Sequence, residues 1–203
     1  MSRIMQVVSR RVLCSARVAV GTAALLVSAN VAEAQRSWAG YLSGLNEVPA
    51  NASPATGYSF ISLLNSTLTV FVSWNGLVGG NPSAGHIHCC TAPGSNVGVA
   101  IGFPGLPATS SGTYTGVFDL TNSAVYAAGF RNNFGGGTAA GSEAALIAGL
   151  DAGNAYVNLH NARWPGGEVR ANVTTTPEPG TVALLAIGML AVGAVTARRR
   201  RRA

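Results

Sequence analysis

Residues 58–74 read YSFISLLNSTLTVFVSW. Tyr58–Leu64 and Leu68–Trp74 are rich in β-branched and aromatic residues, the types that suit a pleated, half-buried surface. In the second run Leu68, Val70, Val72 and Trp74 share one face, while Thr67, Thr69 and Ser73 take the other. Asn65-Ser66 between the runs suits a tight hairpin turn. Outward from this hairpin, further strands are predicted at Trp38–Ser43, Gly85–Cys89, Val97–Phe103, Tyr114–Leu120, Ala155–His160 and Glu168–Thr174, with Gly- and Pro-containing loops between them. Ser142–Leu150 is more helical, with Ser142 as the expected cap, and Ser123–Ala128 suggests a short helical turn. The pattern predicts an all-β domain, a sandwich or Greek-key barrel with one or two short helices.

The 203 residues allow one globular domain plus terminal extensions, and 48% hydrophobic with 10% charged residues excludes a disordered chain. The formal charge of +6 sits mostly at the ends. Between Gln35 and Thr176 four arginines (Arg36, Arg131, Arg163, Arg170) face five carboxylates (Glu47, Asp119, Glu143, Asp151, Glu168), one net negative charge. A nucleic-acid partner is therefore not expected, because phosphate neutralisation needs a basic stripe on the folded domain. Gly135-Gly136-Gly137 lacks the Gly-Lys-Ser/Thr of a phosphate loop and reads as an ordinary loop.

Both ends read as addresses. Residues 1–34 form a signal peptide: a basic stretch to Arg17, the uncharged run Val18–Ala29, and Ala32-Glu33-Ala34 for signal peptidase, which leaves Gln35 as the mature start. Residues 176–203 hold Pro177-Glu178-Pro179, the uncharged run Gly180–Ala197, and five terminal arginines. At ~1.5 Å per residue that run reaches about 27 Å as a helix, enough to cross a bilayer core. The arginines hold its end in the cytoplasm, which places the bulk of the chain outside. This tail resembles the PEP-CTERM sorting signal of Gram-negative bacteria. The resemblance implies recognition by an exosortase, cleavage near Pro177-Glu178-Pro179, and release from a membrane-anchored precursor to the cell surface or extracellular matrix, in the company of exopolysaccharide.

Residues 35–175 are the working domain, and all three histidines of the chain fall within it. On a strand, His86 and His88 project from one face about 6.6 Å apart along the backbone. His160 ends one strand and Glu168 begins the next, so a hairpin through Asn161–Gly167 would set them side by side, with Arg170 on the face of Glu168. One reading is a zinc or copper site of His86, His88 and His160, with Glu168 as fourth ligand or as the partner that orients His160. The other is a set of structural hydrogen bonds, with Glu168 pairing Arg170 or a histidine. Cys89-Cys90 would be the two cysteines left after signal cleavage. A vicinal disulfide or structural pair is preferred over catalysis, beside free thiols, an intermolecular bridge or soft metal ligation. No serine or cysteine has a base and orienting group at the spacing of a nucleophilic hydrolase.

Three motifs in order look like the CHRD domain, a module named for chordin and widespread in secreted bacterial proteins. They are SGLNEVP at 43–49, His86-Ile87-His88, and YVNLH at 156–160 leading into PGGEVR at 165–170. The resemblance covers about Trp38–Val173 and implies an immunoglobulin-like β domain. Its signature residues here are Glu47, Pro49, His86, His88, His160, Gly167, Glu168 and Arg170. The chain departs from the pattern at Ala50, Cys90 and Ala171. The expected function is an exported, surface-sorted, non-catalytic β domain with a binding or structural role in the envelope or exopolysaccharide matrix. The alternative is a zinc- or copper-binding protein, redox-active or not, that uses the His86/His88/His160 cluster.

Overall fold

A computed structural model describes residues 35–177, with helical residues at 187–192, 197–198 and 200. The signal peptide expected at 1–34, Glu178, Pro179 and most of the run 180–197 lie outside the described residues. Among the described residues no helix is long and apolar enough to cross a membrane.

The strands are β1 (Arg36–Ser43), β2 (Thr56–Leu64), β3 (Thr67–Asn75), β4 (Ala84–Cys89), β5 (Val99–Gly102), β6 (Gly112–Asp119), β7 (Ala155–His160), β8 (Val169–Asn172) and β9 (Thr174–Thr175). They join in one antiparallel sheet of order β5-β4-β7-β8-β1-β2-β3-β6, with β9 paired to β1. The sheet curls into a half-barrel. The expected β architecture with short helices is present, but the two facing sheets of a sandwich are replaced by this continuous sheet. The physical reason lies in the strands themselves. Each offers one apolar face, as in the alternating burial of β3, and curling gathers those faces without a second layer.

The β2–β3 hairpin turns at Asn65, whose φ of 53° is the left-handed conformation that asparagine tolerates. Trp38, Ile61, Leu68, Val70, Ile87, Ile101, Val157 and Leu159 meet in one core, joined from the helices by Phe130, Leu146 and Leu150. These helices are α1 (Ala128–Asn133) and α2 (Ala139–Asp151). Thr138, not Ser142, caps α2, its side chain accepting from Gly141 N. Ser142 is instead buried one turn in and donates to the Thr138 carbonyl at 2.6 Å. Trp38 Nε1 donates to Asp151 Oδ1 at 3.2 Å, tying β1 to the end of α2.

Two features of the sheet position the site. Every residue of β7 but His160 is buried, so loops cover its second, polar face as well as the core covering the first. Beside it, β1 and β8 share only the Ser43–Arg170 bridge. Asn46 spans the junction there, its Nδ2 donating to the Tyr41 carbonyl at 3.0 Å and the Arg170 carbonyl at 3.1 Å. That contact fixes the SGLNEVP segment against β8 and sets Glu47 inside the fold.

Cys89 and Cys90 are joined to each other by a disulfide at the end of β4. Helix α2 passes directly over it at Gly149, where a Cβ would overlap both sulfurs. Gly149→Ala should therefore cost about 1–3 kcal/mol by overpacking, read as a lower urea midpoint. The loss should shrink in a Cys89→Ala/Cys90→Ala background. An equal loss in both backgrounds would show that the sulfurs do not impose this glycine.

Candidate metal centre

Strands β4 and β7 pair with Ala84 opposite His160, His86 opposite Asn158 and His88 opposite Tyr156. Residues opposite one another across an antiparallel pair project from the same face, so this register brings His86, His88 and His160 together beneath the loops. One ring nitrogen from each lies within 4.8 Å of the others. His86 Nδ1 and His160 Nε2 are 3.1 Å apart.

The outer hydrogen bonds decide which nitrogens face inward. His88 Nδ1 lies 2.7 Å from the Val97 carbonyl, and His160 Nδ1 lies 2.9 Å from the Pro165 carbonyl. A carbonyl only accepts, so each Nδ1 carries the hydrogen and each Nε2 presents a bare lone pair. His88 Nε2 is buried without a well-aligned hydrogen bond among the described residues, although the Asn158 side chain lies close enough to raise His88 against the effect of burial. The His88 ring stacks on Tyr156 with centroids 4.6 Å apart, and the Arg170 guanidinium lies 3.4 Å over the same Tyr156 ring.

Burial, followed by the charges of His160 and His88, pushes His86 down to about 4. Burial is also the main cause that lowers His88 and His160. All three rings are thus held neutral at ordinary pH, the form that binds a metal. Three neutral imidazoles, two of them oriented by backbone carbonyls, are a donor set that fits zinc or copper.

Glu168 stands elsewhere. Its carboxylate is fully buried, with Oε1 accepting from Ser53 Oγ at 2.7 Å and Val78 N at 2.8 Å. Oε2 accepts from Gly79 N at 3.3 Å and from Asn161 Nδ2. These four donors replace both expected roles, fourth ligand and partner of His160, and the Pro165 carbonyl orients that histidine instead. Arg170 does not pair with Glu168 either; it donates to the Ser95 carbonyl, Asn96 Oδ1 and Asn172 Oδ1. With their sulfurs joined, Cys89 and Cys90 follow His88 as a structural pair.

Glu47 is the second buried carboxylate, 6% exposed. Burial pushes it up to about 7, against the lowering pull of Arg170, Asn158 and the Val48 N–H. Gly167 has φ 132°, and a Cβ there would overlap Glu47 Oε1 and come within 2.8 Å of Asn158 Nδ2, so only glycine lets these groups approach. Glu47, Pro49, Asn96, Trp164 and Gly167 line a cleft of about 380 Å³. Glu47 Oε1 and Asn158 Oδ1 join His88 Nε2 as buried atoms without a partner among the described residues. Sequence reasoning missed Asn158 and Tyr156, although the period of two that pairs His86 with His88 also aligns both with His160.

The CHRD domain matches residues 39–173, two thirds of the sequence and every residue of this site. The chain belongs to the CHRD domain family. Behind the CHRD domain a PEP-CTERM protein-sorting motif matches residues 175–202. The chain matches no curated protein and no solved structure.

The titrations give opposed pH slopes for the CHRD domain in EDTA. The histidines, lowered on folding, bind protons more readily in the unfolded chain, so stability should fall as pH drops from 6.5 toward 4. Glu47, raised on folding, is charged more readily in the unfolded chain, so its contribution should fall as pH rises from 4.5 to 7. Urea midpoints across this range should show the acid loss flattened in a His86→Ala/His88→Ala/His160→Ala variant. Glu47→Gln should remove the decline on the alkaline side. Parallel profiles for all three proteins would contradict this assignment.

Proposed function

We propose that this chain is an exported, surface-sorted protein whose CHRD domain binds one zinc or copper ion through His86, His88 and His160. The observation that carries this reading is the pair of backbone carbonyls, from Val97 and Pro165, that leave Nε2 of His88 and His160 without a hydrogen in a cluster whose ring nitrogens lie within 4.8 Å of one another. Hydrogen bonds made only to fasten loops would satisfy His88 Nε2 fully, whereas it is buried with no well-aligned partner among the described residues, and an unsatisfied buried polar atom costs about 1–3 kcal/mol. A metal ion in the cluster removes that cost.

The PEP-CTERM motif directs processing by exosortase and points to membrane-anchored sorting. In the proposed route residues 1–34 are removed by signal peptidase and residues 180–197 hold the precursor in the membrane. Exosortase then cuts near Pro177-Glu178-Pro179. The CHRD domain reaches the surface or matrix of a Gram-negative cell, where its role is binding or structural, with envelope components or exopolysaccharide as partners. No residue is assigned to catalysis.

The full chain, purified without a histidine tag, should contain close to one equivalent of zinc or copper by elemental analysis. His86→Ala and His160→Ala should each weaken binding by more than the about 10–100-fold that loss of an outer-shell partner costs. Failure to bind either metal stoichiometrically, or unchanged metal content in the triple alanine variant, would sink the metal reading.

A further inference from the structure

Three histidine ligands leave the fourth position of a tetrahedral site to something else. Among the described residues, no cysteine or carboxylate joins the cluster. Beside it stand two acceptor atoms with no well-aligned donor among the described residues, Glu47 Oε1 and Asn158 Oδ1. Asn158 lies opposite His86 in the strand register and two residues before His160, and Glu47 reaches it across Gly167. Both residues are more than nine-tenths buried, so bulk water does not satisfy them. A water molecule can give one oxygen lone pair to a metal and still donate both hydrogens, which suits one open metal position flanked by two acceptors.

We propose that the three-histidine site is open, with its fourth ligand a water molecule held by Glu47 Oε1 and Asn158 Oδ1. A small anion can take the same open metal position in place of this water, against the repulsion of the Glu47 carboxylate. The proposal rests on the metal reading above and adds to it a ligand class and two positioning residues. Glu47 and Asn158 act through the water and touch no metal. Arg170, packed over Tyr156 and close enough to lower Glu47, supplies the positive charge that tolerates an anion in this buried position. The cleft lined by Glu47, Asn96 and Gly167 reaches Glu47, and a second cleft, lined by Gly85, Val99 and Phe103, reaches His86.

The test uses the full chain loaded with Co²⁺, whose visible spectrum reports coordination, titrated with azide as the anionic probe at pH 8. Azide should change the cobalt bands with one-to-one stoichiometry. Glu47→Gln should bind cobalt equally and azide about tenfold more tightly, the effect of one negative charge removed at a few ångströms. Should Glu47→Gln fail to fold, Asn158→Leu provides the second variant, and it should tighten azide about threefold by weakening the competing water. Ser59→Ala, at the remaining unpaired buried hydroxyl on β2, should leave azide binding unchanged and so controls for general loosening of the fold. A cobalt spectrum unmoved by azide would overturn the open site, and wild-type azide affinity in both site variants would overturn the water-holding role of Glu47 and Asn158, each while leaving metal binding intact. Absence of cobalt binding would instead count against the metal reading itself.

Discussion

The Glu168 carboxylate holds together the parts of this molecule that local sequence cannot. It takes hydrogen bonds from Ser53, Val78, Gly79 and Asn161, which belong to three stretches of chain far apart in sequence. A carboxyl group is tolerated in the interior only when its oxygens are hydrogen-bonded, and here both are. The loop after β7 is thereby anchored at Asn161 and Glu168, its two ends. Between those ends Pro165 aims its carbonyl at His160, and Gly167 admits Glu47. The orientation of His160 in the histidine cluster thus descends from a hydrogen-bond clasp that contains no histidine.

A second constraint is the register of β4 on β7. A shift of one residue would send His86 and His88 to the core face and bring Ile87 out beneath the loops. The core resists this, since Ile87, Val157 and Leu159 are completely buried on that face. Apolar packing therefore fixes a polar constellation on the reverse side of the same strands. The arrangement depends on β7 being covered on both faces, which only an interior strand of the curled sheet can be.

Much of this was legible in the residues. The β2–β3 hairpin with its turn at Asn65-Ser66, the bounds of β7, and the shared face of His86 and His88 all follow from period-two alternation and turn chemistry, which are local. The single curled sheet was not legible, because strand periodicity is the same whether a face is buried by another sheet or by curvature. The partners of Glu168 were missed for a related reason. Hairpin logic placed it beside His160, whereas backbone donors at Val78 and Gly79 carry no side-chain signature in sequence. Asn46 was equally silent, since its bonds to the Tyr41 and Arg170 carbonyls replace rungs of a ladder whose pairing only the fold reveals.

Glu47 and Glu168 show how the same side chain divides between architecture and chemistry. Both are acidic, both are buried, and Gly167 is the immediate neighbour of one and in contact with the other. Around Glu168 the chain supplies a donor for each lone pair it can reach, and the result is rigid. At Glu47 it supplies a desolvated carboxyl with one oxygen unpaired, next to an amide oxygen and an imidazole nitrogen in the same condition. Three such acceptors gathered in one place repel one another, and hydrophobic replacements would relieve them at little cost. A positively charged or hydrogen-donating occupant, as proposed above, would relieve them, as would the hydrogen that Glu47 keeps below about pH 7. The family match adds no ligand, so the case for one rests on this imbalance of donors and acceptors.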